Sequence, residues 1–112
     1  MIETPEGFTL QRIGGGFSAW VRIIGPVEFC VINQGWSSVP INEHEMSLPA
    51  IVEASHHLSS DEPQVAVCVI EAFCATPGGS NHESGAVSWH FETAHKALEW
   101  FAVLALVRGG LQ

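Results

Sequence analysis

The sequence contains no tyrosine, and only 4 of its 112 residues are lysine or arginine. Against these stand 12 acidic residues, so the formal net charge is -8 at pH 7. A protein that binds nucleic acid neutralises phosphates with clustered basic residues, and here the basic residues are scattered. They are Arg12, Arg22, Lys96 and Arg108. The composition therefore argues against nucleic-acid binding and against an anionic membrane surface, and it suits solubility or a basic partner.

Cysteine is also scarce, and the 3 cysteines form no close pairs. An odd, dispersed set predicts small buried hydrophobic residues in a reducing compartment and not a disulfide framework. The acidic start, residues 1–6, lacks the apolar segment of a signal peptide. The apolar run at 100–107 is far shorter than the roughly 20 residues that span a bilayer. We therefore expect a cytoplasmic protein.

The chain is short, yet 46% of its residues are hydrophobic. A chain of this length forms one domain, here residues 1–112, with enough apolar surface to fold without a metal or another cofactor. The histidines and carboxylates give no clear metal-ligand spacing, and we expect no metal site. Glu92 and His95 have the spacing used in di-iron bundles, but such bundles need that motif twice.

Hydrophobic periodicity and glycine-rich turns divide the chain into six predicted elements. Strands are predicted at 8–13, 17–24, 27–34 and 64–75, and helices at 47–58 and 88–108, with a long polar loop at 76–85. The order βββαβα predicts an α+β fold with an antiparallel or mixed four-stranded sheet and two helices packed on it. The first three strands are expected to form an antiparallel meander.

The predicted last helix, 88–108, changes character along its length. Its first half is amphipathic, whereas 100–107 is apolar on every side, and Val103 and Leu106 continue a face that carries charges one turn earlier. A helix that is apolar all round must be buried all round, so we expect a second subunit to cover it. The predicted interface residues are Trp100, Val103, Leu106 and Val107.

Glu71 interrupts the apolar segment predicted as the fourth strand. A carboxylate among apolar neighbours needs a partner, water or a proton. It lies near the strand end and reaches water, pairs with Arg22 from the meander, or points into a pocket. We favour the pocket, lined by Glu71 with Trp20 from a strand, Trp36 from a loop and His82 from the polar loop.

Three hypotheses for function follow. The leading one is a non-catalytic homo-oligomeric module whose pocket binds a small apolar or cationic molecule. The second is an acidic interaction protein (an antitoxin, immunity protein or chaperone) that masks a basic protein partner. The third is a small enzyme that uses Glu71 and a loop histidine such as His82.

Overall fold

A computed structural model describes residues 2–34, 38–57 and 62–108. Within these ranges the strands are β1 (Thr9–Gly14), β2 (Phe17–Ile24), β3 (Val27–Asn33), β4 (Ala50–His56), β5 (Ser80–Asn81) and β6 (Val87–Phe91). The helices are α1 (Glu43–Met46), α2 (Pro63–Cys74) and α3 (Ala94–Arg108). The α+β class is therefore confirmed, but the described sheet has six strands, and the predicted order βββαβα is wrong.

The strands form one sheet with the order β1-β2-β3-β4-β6-β5, in which all neighbours are antiparallel. The predicted meander is confirmed, and its turns depend on glycine. Gly25 has a φ of 58° in the tight connection between Ile24 and Val27, which pair with each other. A positive φ is easy only for glycine, which explains why Gly25 rather than Pro26 takes this position.

The predicted helix at 47–58 is wrong, because 50–56 forms β4 and pairs with β3 along seven residues. Its burial alternates with period two: Ala50, Val52 and Ala54 are buried, and Glu53 is exposed. Ser47 is not an N-cap but the C-cap of the one-turn helix α1. The N-cap of α1 is Asn42, whose side chain accepts a hydrogen bond from the Glu45 amide.

The predicted strand at 64–75 is also wrong, because 63–74 forms α2. Its valines and isoleucine suggest a strand, but the buried positions are four residues apart: Ala66, Ile70 and Cys74. That spacing places them on one helical face. Pro63 suits the first turn, where its missing N–H costs no helical hydrogen bond.

The predicted helix at 88–108 is correct only in its second part. Residues 87–91 form β6, the inner neighbour of the short strand β5, which lies in the predicted loop 76–85. The helix α3 begins at Ala94. Between them, Thr93 accepts a hydrogen bond from the Lys96 amide, as an N-cap side chain does.

Both long helices pack on the same face of the sheet, which makes a two-layer sandwich. An aromatic cluster joins the layers: Phe101 of α3 packs edge-on against Phe29 of β3 at 5.1 Å and against Phe8 at 5.0 Å. The loop after α2 is tied to this cluster, because the indole of Trp100 donates to the Thr76 hydroxyl at 2.9 Å. Helix α2 is held as well, because Arg108 donates to the Phe73 carbonyl oxygen at 3.0 Å.

Candidate functional site

The four predicted pocket residues do not come together as a set. Glu71 and His82 line the same open groove. Trp20 is 2% exposed and belongs to the core, 6.5 Å from Phe8, so it does not line this groove. Trp36 lies outside the described residues. Arg22, the alternative partner for Glu71, lines a different cleft.

One wall of the groove is the outer face of α2. Ile70 and Cys74 point into the core, whereas Glu71 is exposed instead of being buried in a strand. Cys68 and Gln64 lie on the same outward face, three and seven residues before Glu71. The helix thus presents a thiol, an amide and a carboxylate along one line.

The other wall is the turn between β5 and β6. Two backbone hydrogen bonds shape this turn: the His82 amide donates to Ala86 (2.9 Å), and the Gly85 amide donates to His82 (3.0 Å). Gly85 has a φ of 91° and lies so close to α2 that a Cβ atom there would meet the Pro63 Cα at 2.9 Å. Only glycine permits both the backbone conformation and this approach. Gly85 therefore holds the turn against the first turn of α2.

The resulting groove has a volume of about 660 Å³ and is open to solvent. Its surface is mostly apolar, with hydrocarbon from Pro63 and Val67. The described lining residues include three carboxylates and no lysine or arginine. The lining residues are Glu62, Pro63, Gln64, Val67, Cys68, Glu71, Asn81, His82 and Glu83. Its volume lies in the range of roughly 300–1,000 Å³ that is typical of small-molecule sites.

The contacts of His82 bear on the enzyme hypothesis. The His82 Nε2 shares a hydrogen bond of 2.8 Å with the hydroxyl of Ser88, and the histidine tautomer decides which atom donates. Within the described ranges, no carboxylate lies within the 4.0 Å of an ion pair from His82. Ser88 is itself only 5% exposed. The Glu71 and His82 pair of the enzyme hypothesis is therefore not in hydrogen-bond contact.

The three cysteines differ in accessibility. Cys68 is exposed in the groove. Burial raises the pKa of the Cys74 thiol to about 12. Burial, together with the negative charges of Glu28 and Glu53, also raises the pKa of Cys30. Cys68 is thus the thiol best placed to report on occupation of the groove.

Sequence reasoning did not find most of this groove, since it placed Glu71 on a strand. Cys68, Glu62 and Glu83 were not predicted as site residues. One signal was available in the sequence, because the small or apolar residues at 66, 70 and 74 repeat at helical spacing. On that helix the outward positions 64, 68 and 71 form the observed wall.

A second feature concerns the predicted interface residues on α3. Val103, Leu106 and Val107 are 62%, 80% and 52% exposed, respectively. Trp100 is half-buried, and its ring packs 5.8 Å from Phe29. A shallow groove of about 250 Å³ runs beside the helix and includes Trp100, Val103 and Val107 in its lining. The core-facing side of α3 is covered by its own chain, and the opposite side is open.

No group of three or more histidine, cysteine, aspartate or glutamate side chains suited to a metal ion occurs among the described residues. In the same ranges, none of the helices has the length and hydrophobicity that crossing a bilayer requires.

Comparisons of the chain with protein-family models, curated proteins and solved structures found no match.

Proposed function

We propose that the chain is a non-catalytic binding module whose groove between α2 and the β5–β6 turn takes a small organic cation. The supporting observation is the lining of the groove, where Glu62, Glu71 and Glu83 flank an apolar surface and none of the described lining residues is lysine or arginine. A cation with a hydrocarbon body matches both properties. Its charge would be attracted by the carboxylates, and its carbon atoms would cover Pro63 and Val67.

The net charge of -8 supports the same choice, because a field of one sign concentrates cations near the surface. The alternative of a basic protein partner relies on that charge alone. The enzyme alternative has less support, because Glu71 and His82 form no contact through which a proton can move. The small-cation proposal is supported by the size of the groove as well as by its negative charge.

We further propose that the module is a homodimer formed through α3. Leu106 is 80% exposed, and Val103 and Val107 line a shallow groove on the same side of α3, so each copy offers both a projecting side chain and an apolar recess. A two-fold contact requires this kind of self-complementary surface. Helix α3 also carries Lys96 and Arg108, two of the four basic residues of the chain. Repulsion between the two acidic copies is therefore smaller at this helix than elsewhere on the surface.

Titration with three related probes, followed by amide NMR, tests the cation proposal. The probes are 2-phenylethylamine, 2-phenylethanol and 3-phenylpropionate, which share an aromatic body and differ in charge. We expect the amine to bind in the groove with a Kd in the low millimolar range, as is typical of ligands of this size. Shifts should centre on Val67, Cys68 and His82.

Glu71→Gln should weaken amine binding about fivefold, the effect of losing roughly 1 kcal/mol of attraction at a wet surface. Its stability should stay within about 0.5 kcal/mol of wild type, because Glu71 is exposed. Glu99→Gln is the matched control, since Glu99 is exposed on α3 outside the groove. Equal weakening by both variants, or equal binding of the amine and the alcohol, would show that the groove does not select a cation.

A further inference from the structure

A second cleft differs from the α2 groove in that a basic residue, Arg22, lines it. It has a volume of about 400 Å³ and forms where residues 5–8 pass over β2 and α3. Its apolar walls come from the segment before β1 and from α3. They are Pro5, Phe8, Leu98, Phe101 and Ala102. The charged residues in its lining are Arg22 and Glu6.

Arg22 points toward the helix-covered face of the sheet, because it is opposite Phe29 in the β2–β3 register. It is half-buried there. Its guanidinium lies 5.5 Å from the centre of the Phe8 ring, within the range of a cation–π contact. On another side the Gly7 backbone approaches so closely that a Cβ atom would meet the Arg22 Cζ at 2.8 Å. The guanidinium is therefore held in place at the cleft.

In the part of the chain that the structure describes, Arg22 has no carboxylate within 4.0 Å. The two basic residues of α3 are engaged, in contrast: Lys96 pairs with Glu92 at 2.8 Å, and Arg108 donates to the Phe73 carbonyl. Leaving a half-buried cation without a counter-charge costs free energy. The chain has 12 acidic residues, yet none of the described ones is paired with Arg22. Among the described residues, none accepts a side-chain hydrogen bond from Arg22, so its N–H donors can meet a ligand.

We propose that this cleft binds a small organic monocarboxylate, with Arg22 as the anion-binding residue. A planar guanidinium matches a carboxylate with two parallel hydrogen bonds. The walls formed by Phe8, Leu98 and Phe101 suit an alkyl or aryl group attached to that carboxylate. Glu6 at the rim and the net charge of -8 disfavour ligands with two negative charges. This site is independent of the cation groove, since the two share no lining residue.

The same three probes test this proposal, because the anionic member should go to the Arg22 cleft. We expect 3-phenylpropionate to shift the amides of Phe8, Leu98 and Ala102 and the Arg22 side-chain Nε–H, with saturation in the low millimolar range. 2-Phenylethanol should bind there at least fivefold more weakly. Phenylsuccinate, which adds a second carboxylate, should also bind more weakly than 3-phenylpropionate.

Arg22→Gln should weaken 3-phenylpropionate binding at least tenfold, and Arg22→Lys should give an intermediate loss, since lysine keeps the charge without the planar fork. Arg12→Gln is the control for net charge, because Arg12 is exposed on β1 and does not line the cleft. Glu6→Gln should strengthen binding about twofold by removing a competing carboxylate.

If Arg22→Gln fails to fold, the Arg22→Lys and Glu6→Gln variants still decide the question. The proposal is overturned if Arg12→Gln weakens binding as much as Arg22→Lys. It is also overturned if Glu6→Gln leaves binding unchanged or weaker, or if the alcohol binds as tightly as the carboxylate. Failure of the amine to bind the α2 groove would leave this result unaffected, because each probe reports on its own site.

Discussion

Cys68 is the residue whose chemical reactivity reports on the groove. It lies on the outward face of α2, whereas Cys74, six residues later, points into the core. The two thiols belong to one helix but occupy different environments. This difference leads to a prediction about their reactivity, because the thiolate is the form that reacts.

At pH 8 we expect iodoacetamide to modify Cys68 first. With a pKa of about 12, Cys74 is ionised to only about 1 part in 10,000 at that pH. Its reaction should accelerate only as the pH rises toward that value, because a raised pKa removes thiolate at all lower pH values. Cys30, whose pKa is also raised, should react slowly. Peptide mass spectrometry over time measures the three rates.

In urea all three cysteines should react at similar rates, which controls for intrinsic differences. Rapid modification of Cys74 in the folded protein would mean that α2 is not packed on the sheet as described. If 2-phenylethylamine occupies the groove, it should also slow modification of Cys68, and this protection should be smaller in Glu71→Gln.

Gly85 is a second residue with a specific structural task. Gly85→Ala should destabilise the protein by about 2–4 kcal/mol, since it adds a strained positive φ and a clash with Pro63. Gly78→Ala is the matched control: Gly78 has a similar φ of 89° but nothing within 4 Å of an added Cβ. It should cost only about 1 kcal/mol. Urea unfolding compares the two, and equal losses would contradict the close contact between the turn and α2.

At the scale of elements, α3 has two faces with different roles. Ala94, Ala97, Phe101 and Leu104 are buried against the sheet, while the opposite face carries charges at its start and exposed apolar side chains near its end. The sequence indicated this second face correctly, since the wheel places Val103 and Leu106 beside Glu99. The buried face stabilises the monomer, whereas the exposed face does not contribute to its core.

The same substitution at two positions of α3 distinguishes these faces. Leu104→Ala should cost about 2–5 kcal/mol of the free energy of unfolding, because Leu104 is 6% exposed and its removal leaves a cavity. Leu106→Ala should cost less than about 0.5 kcal/mol at low protein concentration, because Leu106 is 80% exposed. Urea unfolding at a few micromolar protein measures both. Comparable losses in dilute solution would contradict the orientation of α3.

The other elements show where local pattern misleads. The run at 64–75 is rich in β-branched residues, yet it is a helix because its core contacts repeat every four residues. The run at 50–56 is a strand because β3 and β6 flank it and complete its hydrogen bonds. Intrinsic preference for helix or strand is at most about 1 kcal/mol per residue, so tertiary pairing outweighs it.

For the whole molecule, the net charge of -8 gives the two proposed associations opposite responses to salt. Two acidic copies repel each other, so screening should tighten the dimer. A cation is attracted, so screening should weaken its binding. The Debye length falls from about 10 Å at 0.1 M to about 3 Å at 1 M salt, which makes both effects measurable.

We expect light scattering to detect a dimer whose Kd decreases between about 0.05 and 0.5 M salt. Leu106→Asp should remain folded and monomeric, since burial of Val103 and Leu106 contributes roughly 1.5–3 kcal/mol each in the wild type. Val65→Asp is the matched control, because Val65 is 45% exposed on α2, away from α3's open face. A wild type that stays monomeric at high micromolar concentration, or equal effects of the two variants, would refute the α3 dimer.

The sequence by itself determined the α+β class and the antiparallel meander, and it showed that the last helix ends in a stretch that is apolar on every side. These features depend on local information: alternation with period two, glycines that turn the chain, and a run of apolar residues too long for one buried face. The scarcity of lysine and arginine, which argues against nucleic-acid binding, is likewise evident from the sequence alone.

Only the tertiary structure decided which of the later segments are strands, and with them the location of the groove. Residues 50–56 and 87–91 become strands because each completes the hydrogen bonds of a neighbour that is distant in sequence. Once they occupy the sheet, α2 is placed on its face, and Glu71 points outward next to the turn that holds His82. The contact between Gly85 and Pro63 that closes this arrangement joins residues 22 positions apart, and no periodicity in the sequence encodes it.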